Sequence, residues 1–323
     1  MAMHILLATT KGVARASLGA EGWRAEMLGL AGQPVTSLIA REGVILAGTR
    51  QGVFRSADGG ASWESASAGI EHPIIRWLAY HPDISDFEVA GTEPAGVFLS
   101  QDGGDSWQAR PEVAALREEL GWMLPYSPEA GCVRGMAFHG SRLYAAVEVG
   151  GVLRSDDGGN TFALVAGSDG VPSFGDPRPG FVYPDVHDIA VHPFDPNLLW
   201  AATGGGLYHS TDGGATWALR YECYVRALWL DPEHSQHILM GPAEDVGRMG
   251  RLERSRDGGA TWQAASGSLK VPWRRTMPER LARISGRMFC ILDDGRLLAA
   301  TPEGDDWEYI LPDLKVNAVS GAE

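Results

Sequence analysis

Four side chains that suit anion binding or proton transfer occur one by one in separate stretches of the sequence. Each directly follows a valine or isoleucine near the start of an apolar run, and they are Arg76, Arg134, His187 and Arg226. Guanidinium groups that converge on one cavity bind planar anions such as carboxylate or phosphate through paired hydrogen bonds. A histidine flanked by carboxylates, as His187 is by Asp185 and Asp188, is typical of a general base.

Two further carboxylates, Glu93 and Glu148, follow apolar strands and could complete an acid–base site. Hydrolysis of a glycoside needs two carboxyl groups roughly 5 to 9.5 Å apart, a distance that sequence alone does not give. The candidate catalytic residues are therefore His187, Asp185, Glu148 and Glu93, and whether the protein is an enzyme stays open. Because the chain has no glycine-rich phosphate loop, nucleophile elbow or zinc signature, we predict neither a cofactor nor a metal.

Other aspartates are more conspicuous but have a different interpretation. The pattern S-x-D-G-G-x-[ST]-[WF] occurs five times, beginning at Ser56, Ser100, Ser155, Ser210 and Ser255. An aspartate side chain binds backbone amides in a tight turn, and adjacent glycines supply the positive φ angles that such a turn requires. We therefore interpret the repeated aspartates as turn formers rather than catalytic acids. They are Asp58, Asp102, Asp157, Asp212 and Asp257.

The repeats begin about 45 to 55 residues apart, which is the spacing of propeller blades with some insertions. They resemble the Asp-box or BNR repeat of sialidases, sortilin-type ectodomains, xyloglucan-cleaving glycosidases and photosystem II assembly factors. The resemblance spans nearly the whole chain and implies a β-propeller, but the repeat marks a fold and not an activity. Sialidases carry a Phe/Tyr-Arg-Ile-Pro motif near the start that this chain lacks, so their activity is not inferred.

Aligning the repeats predicts an all-β chain, residues 1–323, that forms one seven-bladed propeller of four-stranded antiparallel blades. Strands from both termini share one blade, which removes the exposed edges of an open ring. The blades are expected at about 3–24 with 314–320, then at 34–64, 74–108, 132–163, 185–218, 224–263 and 279–309.

The same alignment brings one residue per blade to the mouth of the central channel. These seven residues, called the ring below, are Thr36, Arg76, Arg134, His187, Arg226, Glu279 and Asn317. The turns between second and third strands add Lys11 and Arg50 to the same face. Three insertions, 108–131, 163–185 and 263–278, also fall there, and the first contains a short helix from Pro111 to Leu120 followed by Tyr126. The predicted ligand-binding residues are Arg76, Arg134, Arg226, Thr36, Asn317, Arg50, Lys11 and Tyr126.

Composition excludes several classes of partner. With 27 Lys and Arg against 41 Asp and Glu, the net charge is −14, which disfavours binding to nucleic acid. No run of apolar residues is long enough to span a membrane. Three scattered cysteines are typical of a reducing compartment, so we expect a cytoplasmic monomer.

Two functions remain. In the first, the arginine-lined channel binds a small anionic or sugar-like ligand, and a glycosidase-type hydrolase is one form of this hypothesis. In the second, the propeller is a non-catalytic scaffold that docks a protein partner. Long loops with aromatic residues over the mouth favour the first, because a docking platform is more useful when open.

Overall fold

The computed structural model describes residues 3–124, 131–173, 175–301 and 306–322. Seven four-stranded antiparallel sheets form a ring, as predicted. The first strands are β1 (Met3–Thr9), β2 (Gly12–Gly19), β3 (Gly22–Gly29), β4 (Val35–Arg41), β5 (Val44–Thr49), β6 (Gly52–Ser56), β7 (Glu64–Ser65), β8 (Ile74–Tyr80), β9 (Glu88–Glu93), β10 (Val97–Ser100), β11 (Gln108–Ala109), β12 (Cys132–His139), β13 (Arg142–Glu148), β14 (Gly151–Ser155) and β15 (Ala163–Leu164).

Thirteen more strands complete the ring, and the predicted helix α1 (Pro111–Leu120) precedes β12. The strands are β16 (Val186–His192), β17 (Asp195–Thr203), β18 (Gly206–Ser210), β19 (Ala218–Tyr221), β20 (Tyr224–Leu230), β21 (Ile238–Ala243), β22 (Glu253–Ser255), β23 (Gln263–Ala264), β24 (Pro278–Ile284), β25 (Arg287–Leu292), β26 (Leu297–Ala300), β27 (Trp307–Ile310) and β28 (Val316–Gly321). In the described residues, no helix is long and apolar enough to cross a membrane.

The termini close the ring. Strand β28 pairs antiparallel with β1, so the first blade has the order β28-β1-β2-β3, whereas each other blade pairs its strands in chain order. The innermost strands are therefore β28, β4, β8, β12, β16, β20 and β24, and each contacts the next one around the channel. This arrangement pairs the strand edges that would otherwise be open at the two termini.

The five repeated boxes form the predicted turns. Ser56 Oγ donates to Asp58 Oδ1 at 2.8 Å and accepts from the amide of Gly60, while the amide of Ser62 donates to Asp58 Oδ1 at 2.9 Å. The same bonds recur in the four other boxes. The amide of Gly59 donates to the carbonyl of Gly43, in the turn after an innermost strand. We call this side of the ring the Asp-box face and the opposite side the loop face.

Aromatic residues of the boxes pack between neighbouring blades. Trp107 is 4 % exposed, and its Nε1 donates to the carbonyl of Ala66 in the preceding blade at 2.9 Å. Trp307, which begins β27, makes the same contact with the carbonyl of Ala265 in the preceding blade at 2.8 Å. Through these bonds Trp107 and Trp307 each join their own blade to the one before.

Because of the box aspartates, the stability of the fold should depend on pH in the acid range. Hydrogen bonds from Thr261 and Ser255 lower the pKa of Asp257 from 3.8 to about 2. A pKa that is lowered in the folded state stabilises the fold above pH 3.8, and this contribution is lost as the pH falls through about 2. We expect Asp257→Asn to lower the urea midpoint at pH 6, with the difference from wild type shrinking between pH 4 and 2. A difference that does not change with pH would contradict this role.

Candidate functional site

Every innermost strand has a β-bulge at its ring residue. The pairing of β4 with β5 passes from Val35 to Ser37, and the pairing of β8 with β9 passes from Ile75 to Trp77. The other five blades show the same register shift at the corresponding place. A bulge redirects a side chain and interrupts the ladder. The seven ring positions, Glu279 among them, are therefore structurally equivalent.

Some ring side chains connect neighbouring blades. Thr36 Oγ1 donates to the carbonyl of Ile75 at 2.6 Å, and Asn317 Nδ2 donates to the carbonyl of Val35 at 2.7 Å. In both bonds the acceptor directly precedes the next ring residue, and His187 bonds its neighbouring blade in the same way. The donor groups of Thr36 and Asn317 are thus engaged within the fold, and their role in ligand binding stays a prediction.

Glu279 joins two ring arginines. Its Oε2 accepts from Arg226 Nη1 at 2.9 Å, and its Oε1 accepts from Arg134 Nη2. Arg134 also donates through Nη1 to Glu148 Oε2 at 3.0 Å, where the Cys132 thiol donates as well. The side chains of Arg134 and Glu148 are only 8 % and 4 % exposed. This ion-pair network therefore lies inside the propeller rather than on its surface.

These pairs keep their members charged. Burial alone would raise the pKa of Glu279, but Arg134 and Arg226 hold it at about 2. The same balance holds the pKa of Glu148 well below its usual range, chiefly because of Arg134. Burial opposes the charge on Arg226, yet Glu279 raises its pKa above the ordinary value. Buried ion pairs add little net stability compared with apolar packing, which makes this network in the channel a candidate functional site.

Arg76 and Glu93 form a looser pair elsewhere around the ring. Arg76 Nη1 lies 3.5 Å from Glu93 Oε2, and the arginine is a quarter exposed. Lys11 and Arg50 lie exposed in the turns β1–β2 and β5–β6, on the loop face. The predicted basic groups on the first three blades thus share one side of the mouth.

His187 stands at the centre of a proton-transfer arrangement. Its Nδ1 donates to the carbonyl of Val225 at 2.8 Å, which leaves Nε2 directed at two other groups. Asp185 Oδ2 is 3.1 Å from Nε2, and the Tyr224 hydroxyl is 3.2 Å away. Arg226 Nε in turn donates to the Tyr224 oxygen at 3.2 Å. A fixed imidazole with both a carboxylate and a hydroxyl at one nitrogen is suited to accepting and releasing a proton.

A glycine makes room for Asp185. A Cβ atom on Gly204 would lie 2.5 Å from Asp185 Oδ2, and the amide of Gly204 donates to the Asp185 carbonyl at 2.9 Å. Asp185 Oδ1 is buried and has no hydrogen-bond partner among the described residues. The turn between β17 and β18 therefore holds this carboxylate close to the imidazole.

The alignment of the repeats did not predict a second layer of channel residues. The residue after each ring position belongs to the same bulge, and in five blades it lines the central cavity: Ser37, Trp77, Asp188, Arg280 and Ala318. Simple alternation along a strand assigns these positions to the packing between blades. The signal that could have revealed them is the charge on Asp188 and Arg280, because a charged residue rarely occupies such a position.

The two charged groups of this second layer have few partners. The Arg280 guanidinium lies 4.5 Å from the centre of the Trp77 ring, and its Nη2 donates to the carbonyl of Arg76 at 3.3 Å. Burial lowers the pKa of Arg280 to about 10. Asp188 Oδ1 accepts from the amide of Ile189 at 2.9 Å, and burial raises the pKa of Asp188 to about 7.

A cavity of about 540 Å³ adjoins both layers. Arg134, His187, Arg226 and Glu279 border it together with the second layer. From there it follows the innermost strands to their ends, where it reaches Tyr80, which is 37 % exposed, on the Asp-box face. This volume is typical of small-molecule sites, but access is from the face opposite to the loops.

The described parts of the first two insertions lie where the alignment placed them. After α1, Trp122 is 1 % exposed, and its Nε1 donates to the carbonyl of Gly170 in the second insertion at 2.8 Å. A Cβ atom on Gly150, in the turn between β13 and β14, would lie 2.8 Å from the same indole. Trp122 thus ties two insertions to the loop face. Tyr126 lies outside the described residues.

Two groups of side chains have the composition of a metal site. Glu148, Asp185 and His187 bring one possible ligand atom each to within 4.8 Å of one another, and Asp231, His234 and His237 do so on the Asp-box face. In the first group Arg134 and Cys132 already donate to Glu148, as described above. In the second, Asp231 Oδ1 accepts from the amide of Glu233 at 2.9 Å. Because one carboxylate of each group, Glu148 in the first and Asp231 in the second, is already partnered, we assign no metal to either group.

Comparison with known proteins supports the repeat and the fold. Residues 208–219 match the BNR/Asp-box repeat, as the motif predicted. No curated protein matches the sequence. Among solved structures, an ancestral GH74 enzyme is similar at a TM-score of 0.63 and 18 % identity, over 89 % of this chain and 38 % of that enzyme. This chain therefore spans well under half of the enzyme's length.

Two structures of another protein match over most of both chains. YCF48 bound to D1 peptide has a TM-score of 0.59 and 18 % identity, over 92 % of this chain and 89 % of that one. YCF48 from Cyanidioschyzon merolae has a TM-score of 0.60 and 16 % identity, over 94 % and 97 %. At these identities the likeness shows the fold alone. An enzyme and a peptide-binding protein thus share this propeller architecture.

Proposed function

We propose that this protein binds a small organic anion, carboxylate or phosphate, in its central channel. The main support is that the bulges bring four ionisable ring side chains, those of Arg134, His187, Arg226 and Glu279, to the border of a cavity of about 540 Å³. Arg134 and Arg226 border that cavity, and guanidinium groups bind such anions through paired hydrogen bonds. The shared neighbour Glu279 orients both arginines before the ligand arrives.

His187, together with Asp185 and Tyr224, would transfer a proton to or from the bound molecule. Asp185 and Tyr224 hold hydrogen-bonding atoms within 3.2 Å of His187 Nε2, and this nitrogen is the one that the backbone leaves available. The arrangement can accept a proton from a hydroxyl or carry one between ligand and Asp185. Binding and proton transfer are therefore proposed at the same end of the channel.

Thermal stability tests the binding proposal. Inorganic phosphate, short carboxylates and sugar acids are screened, since a ligand at about 100 times its Kd adds about 2.7 kcal/mol to the stability. We expect at least one anion to raise the melting temperature of the wild type. We expect Arg226→Lys, which keeps the charge opposite Glu279 but loses the planar fork, to weaken that effect at least tenfold in Kd.

A matched control lies outside the channel. Arg287 Nη1 lies 3.8 Å from Glu308 Oε1, so Arg287→Lys makes the same chemical change in another ion pair. Its ligand affinity should equal that of the wild type. If no anion raises the melting temperature, or if Arg226→Lys binds as tightly as Arg287→Lys, the proposal fails.

Hydrolysis is a second candidate, favoured by one observation. Asp188, with a pKa of about 7, and Glu279, with a pKa of about 2, border the same cavity. A protonated and an ionised carboxyl group are the pair that glycoside hydrolysis uses. Besides burial, the charged groups that act on Asp188 are Arg280 and Arg134.

An assay with aryl glycosides tests this candidate. Activity should decline as the pH rises through about 7, because the acid form of Asp188 is then lost. Asp188→Asn should abolish the activity while leaving anion binding in place. If none of a broad panel of aryl glycosides is hydrolysed, the hydrolysis candidate is rejected and only the binding proposal remains.

The scaffold alternative makes the opposite prediction. A peptide partner would occupy a wide face and not the channel, so Arg226→Lys would leave its binding unchanged. Peptide binding combined with a negative anion screen would favour the scaffold.

A further inference from the structure

The second layer and the wall of the cavity indicate what kind of anion the channel takes. We infer that Arg280 is the main anion-binding group, and that the ligand is a carboxylate with an apolar body that enters from the Asp-box face. This inference rests on the proposed function and adds the ligand class, the receiving residue and the route.

Arg280 has donors to spare. Among the described residues, its one hydrogen-bond acceptor is the carbonyl of Arg76, and no carboxylate forms an ion pair with it. By contrast, Arg134 and Arg226 are already bonded to Glu279. An arginine has five N–H donors. Among these three channel arginines, Arg280 therefore has the most donors without a hydrogen-bond acceptor among the described residues.

Trp77 orients this guanidinium. The Arg280 carbon lies 4.5 Å from the centre of the indole ring, within the range of a cation–π contact. Stacking occupies the face of the guanidinium and leaves its edge, where the N–H groups lie, for a carboxylate. The group is held in place before a ligand binds, which lowers the entropy cost of binding.

The rest of the cavity is lined mainly by apolar residues, with Arg283, Ser285 and Ser320 toward its Asp-box end. Between the second layer and the Asp-box face its wall includes Ile39, Ala79, Met136, Ala282 and Val319. The apolar side chains of this wall contribute by burying hydrocarbon, at roughly 25 cal/mol per Å². A charged end beside an apolar passage matches a carboxylate with an aliphatic or aromatic body.

The route follows from the residues at each end. Tyr80 and Arg283, at the ends of β8 and β24, border the cavity and are exposed on the Asp-box face. No described residue of the turns between second and third strands borders it. Toward the loop side, the cavity is bordered by Glu279 and its ion-pair partners Arg134 and Arg226.

Calorimetry with hexanoate, benzoate, gluconate and hexanol tests the inference. Hexanoate and benzoate should bind to the wild type more tightly than gluconate, and hexanol at least tenfold more weakly than hexanoate. Arg280→Met, which keeps the side-chain length without the charge, should lose at least tenfold in hexanoate affinity. Arg287→Met, outside the channel, is the matched control.

Blocking the passage tests the route. Ala282→Trp should abolish hexanoate binding, whereas Gln51→Trp, at an exposed position in the β5–β6 turn on the loop face, should leave it unchanged. Circular dichroism and a cooperative melt confirm that each variant is folded. Preferential binding of gluconate, or hexanoate binding unaffected by Arg280→Met, would overturn the inference, while a loss in Arg226→Lys would still support the proposed function. If no anion binds at all, both fail.

Discussion

Glu279→Gln should lower the free energy of unfolding by about 3 to 5 kcal/mol, which is the usual cost of removing one partner of a buried ion pair. The carboxylate bonds both Arg134 and Arg226, so the substitution leaves the buried Arg134 and the partly buried Arg226 without their shared counter-ion. Urea denaturation at pH 7 measures the change. We expect the loss to appear mainly as faster unfolding if the ring assembles late in folding.

Two further variants test whether the loss comes from the buried ion pairs of Glu279. Glu308 lies on the outer strand β27, is 55 % exposed and is 3.8 Å from Arg287, so Glu308→Gln should cost no more than about 1 kcal/mol. Combining Glu279→Gln with Arg226→Met removes one uncompensated charge and should restore part of the loss. A Glu279→Gln effect no larger than that of Glu308→Gln would show that the ring is solvated rather than buried.

Trp122→Ala is the second variant with a large expected effect, about 3 to 5 kcal/mol. The indole is 1 % exposed and donates to the carbonyl of Gly170, so the substitution removes a large apolar contact between two insertions. Urea denaturation measures the global cost, and limited proteolysis of the insertions reports whether they separate from the loop face.

Trp122→Phe distinguishes packing from hydrogen bonding. Phenylalanine keeps most of the buried ring but cannot donate to Gly170, so its expected cost is about 1 kcal/mol. If the alanine and phenylalanine variants lose the same stability, the hydrogen bond and not the packing holds the insertions.

Much of the fold could be predicted because the motif has a local cause. Asp58 and its counterparts form turns with residues at most four positions away, so their role is visible in a few letters of sequence. The regular recurrence of these turns predicts the blades, and unpaired strands at both termini predict how the ring closes. Helix α1 was predicted for the same reason, since Pro111 and the apolar spacing after it are local signals.

The site was predicted only in part. Alignment of the repeats identified the ring positions, Glu279 among them, because each bulge recurs at the same place in its blade. It did not identify Arg280 or Asp188 as cavity residues, since strand alternation assigns them to the packing between blades. It also placed the pocket beneath the insertions, whereas the cavity extends toward the Asp-box face.

The sequence by itself therefore determined the seven-bladed fold, the turn role of the box aspartates and the set of ring residues. These follow from local hydrogen bonding and from periodicity, which a single chain displays directly. Only the tertiary structure decided that Glu279 joins Arg134 to Arg226, that Arg280 stacks on Trp77, and which face the cavity reaches. Partners on different blades are set by how seven sheets meet around an axis, and the bulges that turn two successive residues inward alter the alternation on which sequence reasoning depends.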